Sequence, residues 1–311
     1  MTQCGRCGGG AFYTRRYSGE TLCTSCFKAS IVEKTRRTIS KYDMLGHGQR
    51  VGIALSGGKD SLSLLQVLHE LNENKRCELV ALTVDEGVEG YRDEAIEHAS
   101  ALARKLGVEH VLVSYKELYG FTLDQALDWK DQRTHSSCSI CGVFRRRGID
   151  EAATRARVSV VATAHNLDDY VQTFLMNLMH GDVDRLGWFD PSVVDADFPF
   201  RRVKPFMEIY EEEIALYAHL EGLPFQSASC PYMHEGLRSE VRDYLNELET
   251  KHAGIKNVLL NSALQVSTKL AIVGTHANSV PCSICGKPSS QGVCGVCRMK
   301  DLVQQHTKYS P

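Results

Sequence analysis

Val51-Gly-Ile-Ala-Leu55 runs directly into Ser56-Gly57-Gly58-Lys59-Asp60-Ser61, and this junction decides how the chain folds. The apolar residues make a short buried strand. Leu62, Leu64, Leu65, Leu68 and Leu71 then recur at helical spacing, and Ser61 or Asp60 can cap the first turn. Between strand and helix, two glycines let backbone amides converge. The helix N-terminus adds partial positive charge and Lys59 a full one, so the loop is built to cradle a polyphosphate. The spacing is shorter than G-x-x-x-x-G-K-S/T and an aspartate follows the lysine, which excludes the loop of motor and GTP-binding proteins.

Strand and helix patterns alternate outward from the loop. Strands are expected at Leu79–Val84, Val111–Ser114 and Val158–Ala164, with a helix from about Tyr91 to Leu106. This order predicts an α/β fold, a doubly wound parallel sheet with its crevice at the carboxyl ends of the strands. Asp85 and Glu86 close the second strand. Ala164-His165-Asn166-Leu167-Asp168-Asp169 follows the fourth, where two carboxylates at a helix start can hold magnesium, move a proton or cap the helix. Asp169 is the candidate catalytic carboxylate, with Asp60 as its partner and Lys59 beside it. Phe198 to Pro205 carries Arg201, Arg202 and Lys204 and reads as a basic loop. Helical patterns from Ile209 to Leu270 follow, with Arg238 and Arg242 beside Val241, Tyr244, Leu245 and Leu248.

Eight of the twelve cysteines fall into two terminal blocks of paired C-x-x-C: Cys4, Cys7, Cys23 and Cys26, then Cys282, Cys285, Cys294 and Cys297. In a reducing compartment four thiolates at this spacing satisfy tetrahedral zinc, and neither segment has the apolar residues to fold without it. Gly5, Gly8, Gly286 and Gly295 are expected to supply positive φ at the knuckles. Cys138 and Cys141 form a third C-x-x-C whose next partner is Cys230. Three thiolates are one short of a zinc set. They suit a four-iron four-sulfur cluster with one open iron, or a persulfide relay among thiols near Arg145, Arg146 and Arg147. Arg145 is the arginine assigned to ATP, and Cys77 is expected to be buried packing.

The chain has 311 residues, 43% apolar, and a net charge of −2. The charge is uneven: residues 1–50 carry a net +6 and residues 281–311 a net +3, around an acidic middle. Two basic ends fit arms that hold a polyanion. No apolar run is long enough to span a bilayer and the first thirty residues do not read as a signal peptide, so a cytoplasmic protein without membrane contact is expected.

S-G-G-x-D-S resembles the signature of the PP-loop superfamily, and the stretch from Ala164 to Asp169 resembles its second motif. With the terminal cysteine blocks, the run Cys138-Ser-Ile-Cys141-Gly-Val-Phe-Arg-Arg and the lone Cys230, the order of motifs is similar to the archaeal and eukaryotic cytoplasmic tRNA 2-thiolation proteins, close to the thermophile 2-thiouridine synthetases. The resemblance implies a PP-loop ATP pyrophosphatase fold with N- and C-terminal zinc knuckles. It implies that ATP, with Mg2+, adenylates the 2-oxygen of a tRNA uridine and that sulfide displaces AMP. Cys138, Cys141 and Cys230 would hold a 4Fe-4S cluster. Ala54, Ser56, Gly57, Gly58, Lys59, Asp60, Ser61, Val84, Arg145, Ala164 and Asp169 would contact ATP, and two zinc ions would be structural. Four units are expected: a zinc finger at 1–30, the catalytic domain at 31–208, a helical extension at 209–278 and a second zinc finger at 279–311. The sulfur donor would be a ubiquitin-like carrier protein or free sulfide, and the assembly a homodimer or a dimer with a related subunit. The wobble uridine is favoured over the T-loop uridine. A PP-loop amide ligase and a non-enzymatic RNA-binding zinc protein explain less, since the first has no use for the three extra thiols and the second none for Lys59, Asp60 and Asp169 together. Enzymes that thiolate a tRNA cytidine generally lack paired terminal zinc blocks.

Overall fold

Residues 2–128, 135–191, 200–226, 228–232, 237–273, 280–289 and 291–307 are described by a computed structural model. The N-terminal segment forms β1 (Tyr13–Thr14), β2 (Thr21–Leu22) and α1 (Thr24–Lys41). There follow β3 (Arg50–Ala54), α2 (Lys59–Leu71), β4 (Glu78–Asp85), α3 (Arg92–Lys105) and β5 (Glu109–Ser114). Two short helices, α4 (Tyr115–Tyr119) and α5 (Leu123–Leu127), precede α6 (Ser137–Arg155), β6 (Val160–Ala162), α7 (Leu167–Met179), α8 (Val183–Leu186) and β7 (Arg201–Val203). Last come α9 (Glu211–Leu220), α10 (Leu237–Lys251), α11 (Ile255–Val273), β8 (Val280–Pro281), β9 (Pro288–Ser289) and α12 (Gly295–Thr307).

Five strands make one sheet in the order β5-β4-β3-β6-β7. Every pairing in it is parallel, with Ala54 opposite Leu82 and Ala162 opposite Val203. The chain order reverses direction on either side of β3, which puts a crevice beyond the carboxyl ends of β3 and β6. Period-two alternation sorts the side chains. Val51, Ile53, Ala81, Val160 and Ala162 enter one buried layer with α1, α2, α7 and α9, while Val80, Leu82, Val84 and Val161 enter the other with α6. Gly148 lets α6 lie close on the sheet, since a Cβ there would come within 2.9 Å of Val84 Cγ1.

The expected doubly wound parallel sheet is therefore present, with three differences. The fourth strand is shorter than expected, Val160–Ala162. The segment read as a basic loop contains the edge strand β7, whose Arg201 and Arg202 hid it from an apolar-run criterion; Phe198 and Pro199 lie outside the described residues. Gly8 and Gly286 have positive φ, 75° and 70°, but Gly5 and Gly295 do not. Only the glycine four positions after the first cysteine closes each knuckle, by donating its N–H to the carbonyl of Cys4 or Cys282. Gly295 instead begins α12.

Both cysteine modules are fastened to the body. At the N-terminal one, Arg15 Nε meets Glu213 Oε1 of α9 at 2.5 Å, and both side chains are buried. Tyr17 and Lys34 complete the carboxylate's shell at 3.0 and 3.2 Å from Oε2. At the other end, Met299 and Val303 of α12 pack in the same layer as Ile140 and Phe144 of α6. Lys287 pairs with Glu151 at 3.1 Å.

Glu213→Ala should destabilise the protein by up to about 3–5 kcal/mol in urea unfolding, because it removes the buried carboxylate shared by Arg15, Tyr17 and Lys34 and leaves Arg15 only the less buried Glu20 as its counter-ion. The double variant Arg15→Met/Glu213→Leu should cost clearly less than the single one.

Candidate functional site

The phosphate loop is held open by its own hydroxyls. Ser61 Oγ accepts the Ser56 N–H at 3.1 Å and donates to the Gly58 carbonyl at 3.0 Å. Gly57 has φ +83°, and a Cβ there would lie 2.0 Å from the Ala95 carbonyl oxygen, so loop and α3 meet backbone to backbone. Lys59, on the first turn of α2, reaches Asp60 Oδ2 at 3.0 Å and Glu211 Oε1 of α9 at 2.7 Å. Asp60 Oδ1 is buried without a hydrogen-bond partner, which leaves one oxygen free for a cation. Burial, and then Glu211 and Asp169, push the Asp60 carboxyl up, against the pull of Lys59.

Across the crevice, the N-terminus of α7 separates its two aspartates by role. Asp168 is buried, accepts the Glu211 N–H at 2.8 Å and pairs with buried Lys256, so it joins α7 to α9 and α11. Asp169 closes a capping box with Asn166, their reciprocal bonds being 3.0 and 3.1 Å, and keeps an oxygen 3.8 Å from Arg238. Desolvation pushes its carboxyl up, opposed by the Asn166 N–H and Arg238. Asp60 and Asp169 thus face each other within electrostatic reach, whereas Asp168 is structural. Ala164 is half-buried on the loop leading to α7.

A buried carboxylate joins the loop to the third C-x-x-C. Glu86, just past β4, meets Arg92 Nε at 2.5 Å and Arg145 Nε at 2.6 Å. Arg92 also donates to the carbonyls of Ser56 and Val84, each at 3.0 Å, so the Val84 carbonyl already has one donor. Arg145 donates to Cys141 Sγ at 3.3 Å from one helical turn away. Tyr115 OH donates to the Cys141 carbonyl at 2.8 Å. Burial pushes the Cys141 thiol up, with Arg145 opposing. Cys138 is exposed, and its Sγ lies 3.9 Å from the Tyr232 carbonyl, which brings the segment carrying Cys230 to the same place. Tyr232 anchors that segment through Asp124, 2.8 Å away. The three thiols do not form a compact set of the kind that holds one ion, and a four-iron cube needs a wider set.

The terminal blocks do form compact sets: in each, four sulfurs lie within 4.8 Å of one another. Cys7 and Cys23 sulfurs are 3.6 Å apart, and those of Cys285 and Cys294 are 3.7 Å apart. A tetrahedral ion bound at about 2.3 Å to each sulfur needs edges of about 3.8 Å. Backbone N–H groups, those of Cys23 and Cys294 first, bring the thiols of Cys4 and Cys282 down to about 6, as thiolate ligands require. Cys77 is half-buried and donates to the Gly46 carbonyl at 3.2 Å. Sequence reasoning missed Arg92, Glu211 and Lys204. The first two are ordinary charged residues in helical patterns, and their roles arise from partners far away in the chain.

A PP-loop domain family matches residues 29–248. The tRNA 2-thiolation protein NcsA of Haloferax volcanii is 35% identical over 321 residues, spanning 97% of this chain and 99% of that one. Cytoplasmic tRNA 2-thiolation protein 1 of Chlamydomonas reinhardtii is 34% identical over 293 residues, 92% of this chain and 80% of its own. Among solved structures, U34-tRNA thiolase NcsA from Methanococcus maripaludis, with its 4Fe-4S cluster, superposes with a TM-score of 0.83 at 31% identity, covering 97% of this chain and 96% of that one. No described helix is long and apolar enough to cross a membrane.

Metal analysis should show two zinc ions per chain in the unaltered protein and one in each of Cys7→Ser and Cys285→Ser. The Cys285→Ser loss should lower the melting temperature as α12 loosens from α6.

Proposed function

We propose, from the premise that this chain belongs to the tRNA 2-thiolation proteins of the PP-loop family, that it activates a tRNA uridine with ATP and replaces the 2-oxygen with sulfur. The observation that carries the reading is the path Ser56, Arg92, Glu86, Arg145, Cys141. It ties a polyphosphate cradle to a thiol outside both zinc sets, at one end of one sheet. A phosphate loop alone fits many ligases. A phosphate loop coupled to three spare thiols fits sulfur delivery to an adenylated carbon.

In this reading Ser56 to Ser61 hold the polyphosphate, Lys59 exchanges Glu211 for phosphate oxygens, and Asp60 holds Mg2+ through its free oxygen. Adenine lies toward Ala54 and Val84, with Ala164 on the opposite wall. The uracil 2-oxygen attacks the α-phosphorus as pyrophosphate leaves, and Asp169 takes the proton released from the base. Cys138, Cys141 and Cys230 would hold a 4Fe-4S cluster, which when bound would supply an open iron for sulfide. Arg145, between Cys141 and Glu86, would link the cluster side of the site to the nucleotide side. The substrate is the wobble uridine; the neighbour described as a U34-tRNA thiolase supports this choice over the T-loop. The division of the chain into units at 1–30, 31–208, 209–278 and 279–311, a cytoplasmic location, sulfur from a carrier protein or free sulfide, and action as a homodimer or with a related subunit belong to the same proposal.

The test is anaerobic thiolation of tRNA transcripts, with AMP release and the position of the 2-thiouridine both measured. Asp169→Asn should slow AMP release about 10²- to 10⁴-fold, the range for loss of a positioned base. Cys230→Ala should abolish thiolation while AMP release persists. Thiouridine in the T-loop would overturn the choice of uridine, and thiolation by Cys230→Ala would overturn the cluster.

A further inference from the structure

Lys204 has a place that the steps above leave unused. It follows the last residue of β7, where the Thr163 N–H bonds the Val203 carbonyl at 2.9 Å, so it stands at the carboxyl edge of the sheet beside Asp169. Among the described residues no carboxylate lies within ion-pair distance of its ammonium. What the ammonium has instead is the face of the buried Tyr170 ring, 4.3 Å away. The neighbouring basic residues are engaged elsewhere: Arg201 donates to the Tyr42 and Pro191 carbonyls, and Arg202 pairs with Asp150. An ammonium in a cleft without an anion is costly, and such a group marks a place where an acceptor arrives with the substrate.

Topology separates that acceptor from ATP. The phosphate loop lies at the end of β3 and the Glu86 cluster at the end of β4, whereas Lys204 lies on the other flank, past β6. Lys204 and Asp169 interact electrostatically without forming an ion pair. One presents only donors, the other, when ionised, only acceptors. The Watson–Crick edge of uracil is the complement: O4 accepts and N3–H donates. Cytosine reverses both, with an N4 amino group toward the ammonium and a bare N3 toward the carboxylate.

We propose that Lys204 and Asp169 together read the edge of the base to be thiolated, Lys204 donating to O4 and Asp169 accepting from N3–H, and so select uracil against cytosine. The inference rests on the functional reading above and names its substrate determinant. It also gives the proton of the adenylation step its route: as the O2–phosphorus bond forms and pyrophosphate leaves with the electron pair, the N3 proton passes to Asp169. Lys204 meanwhile holds the charge that gathers at O4. His165 on the preceding loop, Tyr170 and Asp169 on α7, and Arg238 on α10 are the titratable and charged groups that face it. His165 is exposed, with Nδ1 2.8 Å from Thr163 Oγ1; partial desolvation, then Lys204 and Arg238, push its imidazole down. Desolvation brings the Lys204 ammonium down to about 8, with Asp169 opposing. The donor is therefore present below that pH and lost as pH rises through it.

The experiment compares the unaltered protein with Lys204→Gln and Lys204→Arg on transcripts carrying uridine or cytidine at the target position, with ATP binding measured by calorimetry. A glutamine amide can offer either edge, so Lys204→Gln should lower kcat on uridine about a hundredfold, the usual loss for one donor aimed at developing charge. It should also narrow the uridine-to-cytidine ratio at least about tenfold. ATP affinity should stay within about twofold, the behaviour of independent contacts. Lys204→Arg, whose guanidinium does not titrate in the range, should keep the selectivity and remove the fall in kcat above about pH 8. An unchanged ratio in Lys204→Gln, an unmoved alkaline limb in Lys204→Arg, or loss of ATP binding would each overturn the inference. If the unaltered protein forms no thiouridine, the functional reading falls and this one with it; if it does and only the ratio is unmoved, this inference alone falls.

Discussion

The Glu86 carboxylate, buried between two guanidinium groups, is the constraint around which the rest of the site is arranged. A buried carboxylate is tolerable only when its charge is paired, and here Oε1 is hydrogen-bonded by Arg145 while Oε2 and Arg92 Nε are in ion-pair contact without hydrogen-bond geometry. Those arginines come from different helices, Arg92 from the start of α3 and Arg145 from the third turn of α6, so satisfying one charge fixes two helices against the end of β4. Arg92 extends the constraint to the Ser56 carbonyl and therefore to the loop backbone. Arg145 extends it to the Cys141 sulfur. The distance between the phosphate cradle and the third thiol pair is thus set by side chains of fixed shape, not by a flexible connection.

The terminal modules do for the periphery what Glu86 does for the centre. Each sits on an element that carries site residues, the N-terminal one with only a small cluster of Phe12, Tyr13, Leu22 and Phe27 as its apolar interior. The N-terminal one grips Glu213 of α9, two residues from the Glu211 that holds Lys59. The C-terminal one lies along α6, whose first turns carry Cys138, Cys141 and Arg145. Arg147 of the same helix comes within 4.0 Å of Cys294 Sγ. The contribution of four thiolates around an ion to folding is therefore delivered to the helices that position the chemistry.

Much of this was legible in the chain. Strand, glycine-rich turn and leucine-spaced helix are local patterns, so residues 51–71 announced the loop and its sheet. The four-cysteine blocks were equally local. The role of Asp169 against Asp168 was only half legible: the pair was visible, but its division depends on Lys256 and the Glu211 amide, some forty to ninety residues away. Edge strand β7 was invisible because two of its three residues are arginines, held in place by the Tyr42 carbonyl and Asp150 rather than by an apolar face. Arg92 was hidden for the same reason, and Glu86, though visible at the end of the second strand, gave no sign of its two arginines. A buried ion cluster leaves no periodic trace, since its members are charged residues that composition assigns to the surface.

The crevice also explains why so many charges can face one another. In the free protein Lys59 is shared by Asp60 and Glu211, and Arg238 stands near Asp169. The carboxyls of Asp60 and Asp169 are both pushed up by burial before any substrate arrives. In the proposed function, polyphosphate would bring negative charge and displace the lysine's carboxylates, and a divalent cation bound with it would return positive charge to Asp60. What binding gains is the difference between two paired states, not the full attraction of a bare lysine for phosphate. A site organised this way discriminates by exchange. On that proposal, an anion lacking the accompanying cation would leave Asp60 and Glu211 uncompensated, so the loop would favour a metal-complexed polyphosphate over a simple anion of the same charge.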